Sequence, residues 1–331
     1  MIRRCSLAVG TVFVLACVSR QHDTPADLRV ALITPGSIAD AAWNAGAYAG
    51  LMQIRDSLGL HVSHIEARTP GEQEEALRTY ASQGFDLIFG HGFEFQDAAE
   101  RVAASYADPV FVVTSGHRVQ GKVVPLVFRF GEATYLAGMV AGTLTRTGRI
   151  GFVGGIELPP VRQAFEAWER GARAVNPKVE SRSTYLNNFD DAVAGREAAL
   201  AMIRLGVDML HHNADQAGLG LFQAAKEHPG VYLFGANADQ AGLAPTRVLG
   251  SAVIDLPRAF LTVGREVKEG RFTPRIQSFG LESGVIRYVS NPALDSLVPM
   301  ALKDRLRAAS DSIRTAGRQG GRAAETGSRV P

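Results

Sequence analysis

Cysteine is almost absent from this sequence. Of 331 residues only Cys5 and Cys17 are cysteines, so no disulfide and no cysteine-ligated metal centre can form beyond residue 17. Excess charge is scarce too. Lys and Arg number 35 against 33 Asp and Glu, a formal +2, and removal of the first sixteen residues takes Arg3 and Arg4 and leaves the remainder neutral. Nothing in that balance draws the chain to nucleic acid or to an anionic membrane surface. The apolar run at the N-terminus, Cys5 to Ala16, has 12 residues, too short to cross a bilayer as a mature helix. There is no GxSxG elbow around Ser115, no Walker loop and no GxGxxG after the first strand pattern. His211 and His212 are adjacent on a strand pattern and point to opposite faces, and His61 and His64 are three apart, so neither pair is a natural chelate. Catalysis, a resident cofactor and a metal site are therefore not expected.

What is present begins with MIRRCSLAVGTVFVLAC, a basic start followed by the apolar run, which reads as an export signal. Val14-Leu15-Ala16-Cys17 is similar to a bacterial lipobox, in which the chain is cut before a cysteine that becomes lipidated. An ordinary secretory signal that happens to contain a cysteine is the alternative. The expected layout is a signal peptide over 1–16, then lipidated Cys17 and a polar tether over 17–27. With 46% apolar residues, the rest can build large cores.

From Leu28 the chain alternates β-rich runs with helical patterns. LRVALI (28–33), HVSHIEA (61–67), DLIFG (86–90) and PVFVVT (109–114) are separated by helical spacing over 41–58, 72–83 and 96–106. After a helix over 131–147 a second series follows: RIGFVGG (149–155), VESRSTYL (179–186), VDMLHH (207–212) and VYLFGA (231–236). Strands alternating with helices imply parallel, doubly wound sheets, here two similar α/β lobes. Within the second series, Phe165, Trp168 and Ala172 fall at helical spacing, and Trp168 is expected to be core.

One heptapeptide, NADQAGL, occurs at 213–219 and again at 237–243. Each copy follows a strand pattern, at the carboxyl edge where doubly wound sheets take ligands. Two copies are too few for a solenoid, and chance likeness of two Ala/Gly-rich loops is the alternative. In either case two Asn and two Asp side chains converge on one crevice.

Several segments together carry a family likeness: ALITPGSIADAAWNAGAYAGL, FDLIFGHGFEFQDA, PVFVVTSG, FGEATYLAGMVAG with RIGFVGGIELPPV, and GANADQAGLAP with SAVID. In this order and spacing, over about residues 28 to 290, the chain resembles the basic membrane lipoprotein family, the substrate-binding lipoproteins of ABC importers, some of which bind purine nucleosides. The resemblance implies a type I periplasmic binding protein fold of two Rossmann-like lobes closing on a ligand. It assigns 28–134, with about 255–280 returning, to lobe one and 135–254, with about 281–290, to lobe two. A helical segment over 291–316 and a disordered tail over 317–331 complete the layout.

The same resemblance implies where a ligand sits. Trp43 matches an aromatic that stacks on the base, and Phe189 in NNFDD matches its opposite number, so the two would sandwich a ring; a loop-edge Phe189 is also compatible with simple packing. Phe93, in a loop that also holds His91 and Glu94, matches a pocket-lining position. Asn44, Ser115, Asn213, Asn237, Asp239 and Asp255 complete the candidates. Nucleoside-binding members carry an Asp where this chain has Asn237 and a Lys where it has Asp255, and the Asp residues after the first and fourth strands are replaced around Thr34-Pro35 and by Thr114 or Ser115. The ribose-holding set is therefore not intact, which implies a free purine base or modified nucleoside ahead of a plain one. The implied partners are an ABC permease and ATPase, with membrane contact through the lipid anchor only and the protein itself a monomer. A membrane-anchored sensor using the same clamshell is the alternative; no helix-turn-helix or second membrane span points to it.

Overall fold

Strands as apolar as Val30 to Ile33 or Leu87 to Phe89 must be covered on both faces, which parallel sheets achieve by sending every connection through a helix. A computed structural model describes residues 28–327, with side chains as far as 319, and follows that rule. The expected signal peptide, Cys17 and tether lie outside the described residues. The first unit runs β1 (Arg29–Thr34), α1 (Trp43–Leu58), β2 (His61–Glu66), α2 (Pro70–Ser82), β3 (Leu87–His91), α3 (Gln96–Ala103), β4 (Val110–Thr114) and β5 (Val123–Phe128). The second runs α4 (Gly131–Leu144), β6 (Arg149–Gly154), α5 (Pro159–Val175), β7 (Glu180–Tyr185), α6 (Ala192–Arg204), β8 (Met209–Asn213), α7 (Leu219–Glu227), β9 (Tyr232–Asn237) and β10 (Val248–Ile254). Then come α8 (Leu256–Lys268), β11 (Gln277–Phe279), β12 (Ile286–Ser290) and α9 (Met300–Gly327).

Strand order is β11-β5-β4-β3-β1-β2 in one six-stranded sheet and β12-β10-β9-β8-β6-β7 in the other. Every pairing is parallel except β10 with β12. Because α8 packs on α1 and β11 on β5, the chain returns to the first lobe after Ile254 and leaves it again between β11 and β12. α4 packs on α5, so the first crossing lies at Arg129 and Phe130, a few residues before the expected 134.

Local chemistry fixes the helix starts. Thr69 and Glu72 form a capping box ahead of Pro70. The α4–α5 contact is a close backbone approach: a Cβ on Gly138 would lie 2.1 Å from the Trp168 carbonyl oxygen, and one on Gly171 2.0 Å from that of Tyr135. Trp168 itself is fully buried against Phe234 and His211, the core position its spacing predicts.

The last helix departs from expectation. It continues to Gly327, through most of the segment read as a disordered tail. Its apolar stripe ends near Ile313, and the helix runs on through Gly320 and Gly321, poor helix formers set between the better ones Arg318, Gln319, Ala323 and Ala324.

Candidate ligand cleft

The carboxyl ends of both sheets face each other across a cleft of about 410 Å³, within the size range of small-molecule sites. On the first lobe, α1 has no capping side chain at Ala42. Asp40 does that work instead, its buried carboxylate accepting from the backbone N–H of Ala42, Asn44 and Ala45 at 3.1, 2.7 and 2.9 Å. This fixes the first turn and with it Trp43. His91, at the end of β3, holds the Trp from behind: the rings stack at 4.1 Å and 27°. Burial pushes the His91 imidazole down to about 3, so it is neutral; Nε2 donates to the Trp43 carbonyl at 3.1 Å and Nδ1 accepts from Thr114 Oγ1 at 3.0 Å. One face of Trp43 is thereby taken, and the rest of the ring lines the cleft with Phe93, Phe128 and Ser115.

The second lobe contributes Phe189, Asn213, Asp215 and Asn237. Phe189 lies flat against Gly155, where a Cβ would sit 2.1 Å from the ring, and its carbonyl accepts from Ala217 N–H at 2.8 Å. Asn237 Nδ2 donates to Asp215 Oδ1 at 3.2 Å.

Backbone strain marks the same place. Among the described residues the non-glycine positions with positive φ are Ala41, Ser115, Asn187, Asp215 and Asn237. Ser115, Asp215 and Asn237 line the cleft; Ala41 and Asn187 are two residues before its aromatics Trp43 and Phe189. Such conformations cost about 1–3 kcal/mol each and concentrate at functional sites.

The charge in the cleft is one-sided. Burial, then the nearby Asp40 and Glu94, hold the Asp215 carboxyl well above the usual range, against the Asn237 hydrogen bond. Glu94 is raised to about 7 by the protein around it, while staying accessible to water in the open cleft, which limits that rise. At the hinge, Arg129 bonds Glu132 at 2.7 Å, Ser278 Oγ at 2.7 Å and Glu282, and Glu132 also accepts from Leu281 N–H at 2.6 Å. At the cleft mouth Arg68 and Asp190 join the two lobes at 3.1 Å.

Of the residues the sequence nominated, Trp43, Phe93, Ser115, Phe189, Asn213 and Asn237 meet in this cleft; three do not. Asn44 is buried in α1, its N–H on Asp40. Asp239 is exposed and accepts from Ala241 N–H and Ser251 Oγ at 3.1 and 3.3 Å. Asp255 caps α8 through Arg258 N–H at 3.1 Å and pairs with Arg287 at 3.8 Å. Both aspartates face a separate groove, so the charge reversal at Asp255 lies outside the cleft. Of the four heptapeptide side chains expected to converge, Asn213, Asp215 and Asn237 do so and Asp239 does not; Asp215, which occupies in the first heptapeptide the place of Asp239 in the second, was the one not singled out. Among the described residues no cluster of three or more His, Cys, Asp or Glu could hold a metal ion, and no helix is long and apolar enough to cross a membrane.

Residues 28–318 match the family model described as Bmp, ABC transporter substrate-binding protein PnrA-like. Basic membrane protein A of Borreliella afzelii is 30% identical over 295 residues, spanning 86% of this chain and 89% of that protein. A solved ABC transporter solute-binding protein from Conexibacter woesei superposes with a TM-score of 0.70 at 28% identity, covering 88% of this chain and 97% of its own. Another, from Aeropyrum pernix, gives 0.75 at 24% identity with 90% of each chain covered, a likeness of fold.

Proposed function

The chain belongs to the Bmp family of PnrA-like ABC transporter substrate-binding proteins, and from that premise we propose that its two lobes close on a purine-type ligand. The observation that carries this is the placing of aromatic rings on both walls of one cleft, Trp43, Phe93 and Phe128 on one and Phe189 on the other, with strained backbone at Ala41 and Asn187 two residues before Trp43 and Phe189. A flat heterocycle stacked on such rings gains roughly 1–3 kcal/mol per contact, by analogy with bases on protein aromatics. A free base or modified nucleoside is favoured over a plain nucleoside, because the polar group at 237 is an amide engaged with Asp215 rather than a free carboxylate. Cys17 carries the lipid that holds the exported protein at the membrane, and the closed form delivers its ligand to an ABC permease and its ATPase. Delivery is favoured over sensing by the family the chain belongs to.

A thermal-shift screen of the purified protein against purine bases, nucleosides, pyrimidines, sugars and amino acids at about 1 mM tests this reading. A micromolar ligand at that concentration adds roughly 4 kcal/mol, several degrees of midpoint. The expected result is a shift with purines, lost in Trp43→Ala, whose affinity falls by tenfold or more on the scale of one stacking contact. A shift with another solute class and none with purines overturns the ligand.

A further inference from the structure

Among the described residues, two carboxyl groups in the cleft have no cationic partner. Its lining holds the acids Glu94, Glu132, Glu166 and Asp215 and the bases Arg129 and Arg170. Both arginines are engaged: Arg129 with Glu132 and Glu282, and Arg170 with Glu166 at 3.9 Å. Glu94 on the first lobe and Asp215 on the second remain, close enough for the one to repel charge on the other. Asn237 gives one of its two amide N–H donors to Asp215, and its oxygen is a further acceptor. Asp215 also sits at φ 44°, a strained backbone position. The groups facing it are Asp40 from the loop before α1, Glu94 from the turn after β3, Asp190 from the loop before α6 and Asn237 from β9. Every ionisable one is an acid, and Arg68, the cation nearest Asp190, is shared with Glu66.

An array of acceptors between aromatic planes is complementary to a ring that presents donors. We infer that the cleft selects a planar heterocycle with an amidine-type edge, an amino group beside a ring N–H, which donates to Glu94 and Asp215 and so joins the two lobes. The inference rests on the receptor reading and narrows its ligand class; the donor edge, rather than the purine skeleton, is what it specifies. Such an edge competes with protons for the two carboxylates. It binds the ionised carboxylates, so affinity rises with pH as Asp215 and Glu94 lose their protons.

The test is titration calorimetry with two matched pairs, guanine against hypoxanthine and 2-aminobenzimidazole against benzimidazole, on the wild type, Glu94→Gln and Asp215→Asn. The amino member of each pair is expected to bind about tenfold more tightly, the scale of one hydrogen bond to a charged group, and guanine affinity to increase from pH 5.5 to 8. Both variants should lose most of the preference while keeping the wild-type thermal midpoint within a few degrees; Glu94 is accessible to water, and Asn tolerates positive φ well, so neither should unfold the protein. A preference for 2-aminobenzimidazole with no purine bound sustains the donor edge and overturns the purine. Equal binding of guanine and hypoxanthine does the reverse. Failure of both amino compounds to bind, or a preference that survives both substitutions, overturns the inference.

Discussion

The two copies of NADQAGL have the same seven residues and opposite employment. In the first, Asn213 and Asp215 enter the cleft, Asp215 takes the positive φ, and the chain coils at once into α7. In the second, Asn237 takes the positive φ and alone reaches the cleft; Asp239 turns to solvent. There the structural burden falls on Gln240, which is buried, accepts from Ala236 N–H at 2.9 Å, bonds His212 at 2.9 Å and donates from its own backbone N–H to Ser251 Oγ at 3.0 Å. Gln216 has no such role and is half-exposed. The residues that follow decide between the two. Leu219-Gly220-Leu221 continues into a helix, whereas Ala244-Pro245 cannot, since a proline inside a helix loses a hydrogen bond and clashes with the preceding turn. Identical local sequence therefore makes a ligand-facing loop in one place and a strut in the other.

That contrast can be broken by paired substitutions. The largest effect is expected from Gln240→Ala, which strips partners from His212 and from a buried backbone N–H and should cost about 3 kcal/mol; Gln216→Ala should cost under about 0.5 kcal/mol, both read by chemical denaturation. Gly218→Ala comes next. Its Cβ would fall 2.2 Å from His212 Nδ1, an overpacking worth about 1–3 kcal/mol, whereas nothing lies within 4 Å of the same atom on Gly242. Asp215→Asn should weaken the binding of guanine about tenfold and Asp239→Asn should leave it unchanged, by calorimetry.

The same Asp215 substitution carries a stability signature. A carboxyl raised in the folded state binds a proton that the unfolded chain has already lost, so wild-type stability declines as pH climbs from about 4 toward the folded value. Asp215→Asn lacks that decline, and the variant should gain on the wild type across that interval in thermal melts at successive pH. Asn237→Gly should have a small effect as well. It relieves the positive φ of 65° but frees one hydrogen bond to Asp215, so its net change should stay within about 1 kcal/mol.

Sequence patterns made most of the fold legible for a plain physical reason. Six of the eight strands read from LRVALI to VYLFGA are largely apolar runs and the edge strands HVSHIE and ESRSTY are mixed, yet the structure places each within two residues of its expected limits. The strands not foreseen carry weaker signals. β5 contains Pro125, β10 has Gly250 and Ser251 in its middle, and β11 is three residues long. The antiparallel β12, IRYVS, is only partly buried. In the cleft, Trp43, Phe93 and Phe189 were readable because they follow strand ends and matched a family pattern, although Phe189 also packs against the core. Asp239 was chosen over Asp215 because the heptapeptide cannot say which copy is followed by a helix. Asp255 was placed in the cleft by its match to a ligand-facing lysine, yet in this chain it is the first residue capping α8. Asp40 went unnoticed because its work, closing the first turn of α1, uses backbone N–H groups that a sequence does not display.

Arg129 links the first crossing between the lobes to β11 through Ser278 and to the last crossing through Glu282, with Glu132 closing the set. Two of the three crossings are thereby tied through one guanidinium, while the crossing after Ile254 is left out of the set. Any relative movement of the lobes has to carry the first and last crossings as one piece, so the cleft turns on a shared pivot rather than on independent strands.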